Sequence, residues 1–279
     1  MKGIVIQCVA ALAGAACLAQ QPQNSFASLT SGTERLSVVR SSIEVPVWHE
    51  KSFWTLYEKY VAEESETSSS AYRAIYNLAT LDRLNGDEEA YEFGARMLGL
   101  RFDDLTLRKR YYAEIGTAFN GVIALQFLQT ETLMDMMECF RIYENTRWKN
   151  YRFNAASLPD SKTFQAKINM LTAALSLSGQ ELINFQAAYS RYERECSDLL
   201  GDRYDIFALY AGEPSDFTPA LAKRLGYDLL QISERELKLK EKYFFELNKL
   251  VGPRLAAGFL AWEDYHSLVS KMHAWADAP

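Results

Sequence analysis

Residues 104–137 read DLTLRKRYYAEIGTAFNGVIALQFLQTETLMDMM, and residues 236–269 read ELKLKEKYFFELNKLVGPRLAAGFLAWEDYHSLV. The two stretches lie 132 positions apart and align without a gap. Eight of the 34 aligned positions are identical. The identical pairs are Leu105/Leu237, Leu107/Leu239, Tyr111/Tyr243, Glu114/Glu246, Ala124/Ala256, Phe127/Phe259, Leu128/Leu260 and Glu131/Glu263. We interpret the repeated stretch as part of a tandem duplication.

The same offset continues on both sides of these stretches. Apolar positions at Leu36, Val39 and Ile43 return as Ile168, Leu171 and Leu175. The breaks between segments also coincide, because Gly86-Asp87 aligns with Thr218-Pro219 and Asn120-Gly121 with Gly252-Pro253. A constant offset that includes the turns is hard to obtain by chance. The sequence therefore predicts two repeat units, residues 29–153 and 160–276, joined near residues 154–160.

The fold class follows from periodicity and composition. Apolar residues recur about every 3.6 positions, β-branched runs are scarce, and only 7 prolines and 14 glycines are present. We expect an all-α protein, a helical bundle or solenoid in which the two units pack about a pseudo-twofold axis or as consecutive layers. Helices are expected across residues 36–43, from Pro46 onward, and over 71–84, 87–119 and 122–148, with a loop at 65–70 (SETSSS).

The N-terminus has the pattern of a secretory signal. Lys2 supplies a positive charge, residues 3–19 are apolar and rich in alanine, and a polar segment begins at Gln20. Cleavage after Ala19 fits best, which would leave residues 20–28 as a disordered leader. Lipidation at Cys17 is an alternative, although the usual large aliphatic residue is missing three positions before it. We expect a periplasmic protein without a membrane span after cleavage.

Charge narrows the range of partners. The net charge is −6, whereas general nucleic-acid binding requires a basic face that displaces counterions from phosphates. The basic run Arg108-Lys109-Arg110 lies among acidic residues, so a solvated helix face is predicted there. The expected partner is an unknown protein or small ligand, and not a nucleic acid.

Catalytic and metal-binding patterns are incomplete. The chain has no GxSxG, Walker, GxGxxG or HExxH motif, and no cofactor is expected. Glu263 and His266 have the spacing of carboxylate-bridged di-metal bundles, but Met134 aligns with His266, so the second pair is missing. Two cysteines remain after the signal, Cys139 and Cys196, and they form either a disulfide or two buried thiols.

The candidate site lies on the repeated segments near their C-terminal ends. Glu131 and Glu263 fall on or beside the apolar stripe, where a carboxylate needs a partner; tyrosine, arginine or a ligand could provide it. Trp262 and His266 replace Thr130 and Met134 of the first unit, as either specialisation of one copy or drift after duplication would produce. Pockets commonly form between helices, so we predict that a seam between the units is lined by Glu131, Gln129, Trp262, Glu263 and His266.

One pattern carries a family resemblance. Arg110-Tyr111-Tyr112, a break, and then Ala124-x-x-Phe127-Leu128-Gln129-x-Glu131 is similar to uncharacterised helical proteins exported by Gram-negative bacteria. The second unit has Ala261 where the first has Gln129. The chain lacks the Leu-Thr-x-x-Gln signature of periplasmic stress chaperones of the Spy and CpxP kind, which are also helical and exported. Neither resemblance implies a catalytic residue.

Two classes of function remain open from the sequence. The first is an exported, non-enzymatic binding or interaction protein, with a role in envelope stress or a chaperone-like role among the options. The alternative is a metal- or small-molecule-dependent enzyme with a site in the helical core. Duplication, surface aromatics and the incomplete catalytic set favour the first class.

Overall fold

The computed structural model describes residues 32–80, 86–146, 160–210 and 218–276. These residues form eight α-helices, and none of them belongs to a strand. The helices are α1 (Gly32–Ser42), α2 (Glu50–Ala79), α3 (Asp87–Ala118), α4 (Gly121–Glu144), α5 (Asp160–Leu175), α6 (Gly179–Tyr210), α7 (Pro219–Val251) and α8 (Pro253–Ala276). The predicted all-α class is confirmed. The signal and leader of residues 1–28 lie outside the described residues.

Helix starts follow the signals in the sequence. Asn120 Oδ1 accepts hydrogen bonds from the backbone nitrogens of Val122 (2.9 Å) and Ile123 (3.0 Å), so it caps α4. Thr218 caps α7 in the same way, and Pro219 occupies the first turn. The helix α3 begins with three acidic residues, which favour the positive end of the helix dipole. None of the described helices is long and apolar enough to cross a membrane.

The loop predicted at residues 65–70 is wrong, because α2 continues through it. Serine favours turns when its hydroxyl competes with helical hydrogen bonds, but here the hydroxyls are used inside the helix. Ser65 Oγ donates to the Ala62 carbonyl, and Ser68 Oγ donates to Glu64. The buried face of α2 then extends through Ala71 and Ile75. Residues 71–79 of the predicted short helix at 71–84 are therefore the end of α2, and residues 81–84 lie outside the described part of the chain.

The same contacts occur in both halves of the chain at the predicted offset. Tyr111 Oη donates to Glu63 at 2.7 Å, and Tyr243 Oη donates to Glu195 at 2.7 Å. The bounds of α4 and α8 also differ by 132 at each end. This recurrence is what a tandem duplication predicts. The evolutionary origin of the two units stays a prediction.

Two aromatic residues join the units in a reciprocal way. Tyr112 of α3 packs on Gly226 of α7, and its counterpart Phe244 of α7 packs on Gly94 of α3, the counterpart of Gly226. A contact in which each partner presents the same patch to the other is the pattern of a two-fold arrangement, unlike the head-to-tail stacking of a solenoid. Glycine is needed at both places, because a side chain would overlap the opposing ring.

Replacing Gly226 with alanine is expected to lower the free energy of unfolding by about 1–3 kcal/mol. The added methyl group would overlap the ring of Tyr112, whose hydroxyl donates to the Lys223 carbonyl at 2.7 Å. Gly99 on α3 is the matched control, since nothing lies within 4 Å of a Cβ there. Alanine at Gly99 should stabilise the protein by up to about 1 kcal/mol. Urea unfolding of both variants measures the difference, and equal effects would contradict the close packing.

The core reaches its greatest depth along α8. Every residue from Ala256 to His266 is buried. The helix packs on α5 and α7 of its own unit and on α2, α3 and α4 of the first unit. A helix that is buried on all sides needs partners for each of its polar groups. Those partners define the candidate site.

Candidate functional site

Two groups of buried ionisable residues lie inside the helices, one in each unit. The first cluster consists of Arg35, Tyr57, Tyr60, Glu64 and Glu131, and the second cluster consists of Lys167, Tyr189, Tyr192, Glu193 and Glu263. Each cluster draws on three helices: α1, α2 and α4 in the first, and α5, α6 and α8 in the second. The prediction that each of these buried glutamates has a polar partner is therefore confirmed. Glu131 is bound by a tyrosine and by Arg35, and Glu263 is bound by tyrosines and by Lys167.

In the first cluster Arg35 joins two carboxylates. Its Nη1 donates to Glu64 at 2.9 Å, and its Nη2 donates to Glu131 at 2.5 Å. Tyr57 Oη donates to the second oxygen of Glu131 at 2.8 Å. Burial raises the pKa of Glu131, although the positive charge of Arg35 opposes this effect. Compared with an exposed glutamate, Glu131 therefore has surroundings that shift its equilibrium towards the protonated form.

In the second cluster the pKa of the central glutamate, Glu263, is shifted in the opposite direction. Glu263 accepts hydrogen bonds from Tyr189 (2.6 Å) and Tyr192 (3.0 Å), and Lys167 Nζ lies 3.2 Å from it. Burial alone would raise the pKa of Glu263, but Lys167 and the Tyr189 hydrogen bond outweigh burial and hold it below its usual value. Lys167 also pairs with Glu193, and burial raises the pKa of Glu193. The ionised form of Glu263 is the one that the core stabilises.

A third ionic group extends the first cluster along α3 and α4. Arg108 pairs with Asp104 at 3.0 Å and lies 3.7 Å from Asp135, and Arg101 pairs with Asp135 at 3.0 Å. The prediction of a solvated face at 108–110 is wrong for Arg108, which is 7% exposed. Burial acts to raise the pKa of Asp135, but Arg101 and Arg108 lower it below its usual value.

The cysteines do not form the disulfide that the sequence left open, and both are free thiols. Cys139 Sγ accepts a hydrogen bond from Arg101 at 3.0 Å and lies 3.6 Å from Asp135, inside the first unit. Cys196 is half-buried, with Glu263 and Lys167 among the charges that act on it. Burial raises the pKa of both thiols, to about 11 for Cys196, so neither is a reactive thiolate at neutral pH.

The structure divides the five predicted seam residues between the two units. Glu131 belongs to the first cluster, and Gln129 is half-buried on the same helix. Trp262, Glu263 and His266 come together in the second unit, where the rings of Trp262 and His266 are 5.6 Å apart. Trp262 has no exposed surface and His266 is 8% exposed. The second set therefore lies in the core that both units share.

Arg35 and Lys167 are the cluster residues that the sequence did not predict. They are counterparts at the 132-residue offset, and each precedes an apolar stripe residue, Leu36 or Ile168. The sequence has a positive charge at the same repeat position in both units, and also a glutamate at the same repeat position in both units. That coincidence was the signal from which the ion pairs could have been predicted.

A metal ion would require several ligand side chains that converge on one point. Among the described residues, no group of three or more histidine, cysteine, aspartate or glutamate side chains is arranged to hold a metal ion. The Glu263 and His266 pair lies beside Lys167, whose positive charge acts on both side chains. The ionisable groups of the core are thus engaged mainly with one another.

The fold and these clusters define an all-α protein with ion pairs in its core. Comparisons with protein-family models, with curated proteins and with solved structures found no match. The function is therefore argued from the chain's own residues.

Exchanging His266 for methionine, the residue at its counterpart Met134, is expected to flatten the pH dependence of stability. Burial and the charge of Lys167 lower the pKa of His266 to about 4, against 6.5 for an exposed histidine. Between these values the unfolded chain binds a proton that the folded chain does not, so stability falls as the pH falls. The wild type should lose about 3 kcal/mol more than the variant between pH 7 and pH 4. Parallel curves in urea unfolding would contradict a buried neutral imidazole.

Proposed function

We propose that this chain is an exported, non-enzymatic binding protein that contacts a protein partner through its exposed Val47–Trp48 corner. The exposure of this corner carries the proposal. Trp48 is 80% exposed and Val47 is 79% exposed, whereas Trp54 is half-buried and Trp262 is fully buried. Such residues in contact with water leave apolar surface that a partner could cover.

The surroundings of the corner support a protein contact. A cleft of about 740 Å³ lies at the junction of α1 and α2 and is lined by Arg40, Ser41, Ile43, Glu44, Val45, Pro46, Glu50 and Trp54. The guanidinium carbon of Arg40 lies 5.1 Å from the centre of the Trp54 ring. Tryptophan and arginine are enriched among the residues that dominate binding energy at protein interfaces. The ionisable residues of the core, by contrast, are engaged with one another.

Site-specific photo-crosslinking in the native host tests the proposal. A photoreactive residue in place of Trp48 should give a discrete adduct with one protein, because the corner would be covered by a partner. Ile183 on α6 is the matched control, since it is apolar and 60% exposed but lies in the other unit. The same adducts from both positions, or none from position 48, would contradict the proposal.

Export can be tested separately from the contact with a partner protein. The apolar residues 3–19 support it, and mass spectrometry of the protein from its native host should find Gln20 or a lipidated Cys17 at the new N-terminus. Soluble cytoplasmic protein that retains Met1 would contradict export without affecting the Val47–Trp48 corner.

A further inference from the structure

The acceptors of the first cluster are arranged like a binding pocket, and the side chain of Arg35 occupies it. Arg35 is 22% exposed at its side chain, whereas the carboxylates that it meets, Glu64 and Glu131, are 4% and 2% exposed. The cluster thus reaches the surface only at the place where Arg35 enters, as far as the described residues extend. The acceptors behind it stay in place through other contacts, since Tyr57 holds Glu131 and Ser68 donates to Glu64.

The arrangement of acceptors matches a guanidinium group. The Nη1 and Nη2 atoms of Arg35 donate to Glu64 and Glu131, and its Nε donates to Tyr57 Oη at 3.3 Å. Three acceptors from two different helices, α2 and α4, therefore receive the three nitrogens of one planar group. Such directional recognition distinguishes guanidinium from ammonium, which acts as a point charge. The second cluster illustrates the difference, because Lys167 brings a single nitrogen to Glu193 and Glu263.

One polar group in this pocket is not used by Arg35. Tyr60 is fully buried, and its hydroxyl has no hydrogen-bond partner among the described residues. The ring of Tyr60 lies 6.0 Å from the ring of Tyr57, and the charges of Glu131 and Glu64 are among those that act on its hydroxyl. Its counterpart Tyr192 donates to Glu263 at 3.0 Å. The first pocket therefore has a spare hydrogen-bonding group, which a buried site leaves unpaired only at a cost.

The occupant belongs to a short helix with an irregular connection. The helix α1 ends at Ser42, and residues 43–46 are not helical. The cleft beside Trp54 separates part of this connection from α2. Val39 of α1 and Ile43 just after it are buried in the core of the first unit, and Leu36 and Val45 pack against that core, so apolar contacts of four side chains hold the segment that delivers Arg35.

We propose that Tyr57, Tyr60, Glu64 and Glu131 form a selective guanidinium-binding site, for which α1 is the intramolecular ligand and an arginine side chain of a partner protein is the external one. The site is separate from the Val47–Trp48 corner, and neither proposal depends on the other. Its ligand class is a peptide segment that carries arginine.

Chemical rescue of the Arg35→Ala variant tests the site. Removing the side chain leaves two buried carboxylates without their cation, so the variant should be destabilised. Ethylguanidinium should restore stability, and at ten times its dissociation constant the ratio of folded to unfolded protein should rise about tenfold. Ethylammonium at the same concentration should give much less rescue. Equal rescue by the two cations, or none, would overturn the proposal.

Matched variants separate this site from a general salt effect. Lys167→Ala empties the corresponding position of the second cluster, and its response should not favour ethylguanidinium. Adding Glu131→Gln to Arg35→Ala should abolish the preference. If Arg35→Ala fails to fold alone, refolding yield becomes the measurement. Ethylguanidinium should then increase that yield and ethylammonium should not, and failure with both would count against the site.

A labelled peptide of residues 32–45 gives the external arm of the test. It should bind the full-length Arg35→Ala variant more tightly than the wild type, in which the side chain of Arg35 competes for the same acceptors. The same peptide with alanine in place of Arg35 should bind at least tenfold more weakly. If the two peptides bind equally, α1 is recognised by its apolar residues alone, and the guanidinium site is refuted.

Discussion

Replacing Glu263 with glutamine is expected to lower the free energy of unfolding by about 3 kcal/mol, because it removes a buried negative charge that the core stabilises and leaves Lys167 with Glu193 as its remaining counter-charge. Glu263 is 4% exposed, lies 3.2 Å from Lys167, and accepts hydrogen bonds from two tyrosines. Its pKa is held below the usual value, so the folded state favours the charged carboxylate. Glutamine keeps the shape of the side chain and removes that charge.

The counterpart substitution, Glu131→Gln, should cost only about 1 kcal/mol. Burial raises the pKa of Glu131, and Arg35 keeps its pairing with Glu64. Urea unfolding of both variants at pH 7 gives the comparison. Equal losses would mean that the two clusters do not differ in the charge state they favour.

The pH dependence of these two variants follows from the same pKa shifts. A lowered pKa at Glu263 contributes stability that is present above the usual carboxyl pKa and is lost as the pH falls through the lowered value. The Glu263→Gln deficit should therefore shrink in acid. The raised pKa of Glu131 acts in the opposite direction, because its contribution declines as the pH rises through the raised value.

Trimming Trp262 to alanine is expected to cost about 3–5 kcal/mol, the range for removing a large side chain from a packed core. Trp262 has no exposed surface and lies in the hydrophobic core that contains residues of both units. The sequence suggested that Trp262 lines a seam between the units, and its complete burial changes that expectation.

Trp48→Ala is the control, because it is the same substitution at a side chain that is 80% exposed. It should change the free energy of unfolding by about 0.5 kcal/mol or less. Thermal or urea unfolding measures both variants. A small loss for Trp262→Ala would indicate that the surrounding helices collapse onto the space, and would return this residue to the candidate binding surface.

The sequence was most informative where a local signal decides the structure. Asn120 and Thr218 mark helix starts because their side chains cap the backbone a few residues away, which depends on no distant part of the chain. The need of Glu131 for a tyrosine or arginine could also be predicted, because a buried carboxylate requires a partner wherever it lies.

The features that the sequence did not predict depend on tertiary packing. Arg35 reaches Glu131 across 96 positions of sequence, and no local pattern specifies that contact. The serine-rich stretch of α2 looked like a loop because serine favours turns, but packing on both sides of it maintains the helix. Trp262 and His266 were predicted to line a seam between the units, since an amphipathic pattern does not reveal a helix that is enclosed on all sides.

The enclosure of α8 also constrains the order of events during synthesis. The ribosome makes this helix after the other seven, yet α2, α3 and α4 pack against it. Those early helices can form their own local contacts, but the shared interior stays incomplete until residues 256–266 have emerged. Folding of the whole protein is thereby delayed until α8 has been synthesised, and a nascent chain that stops at Gly252 should remain sensitive to protease in both units.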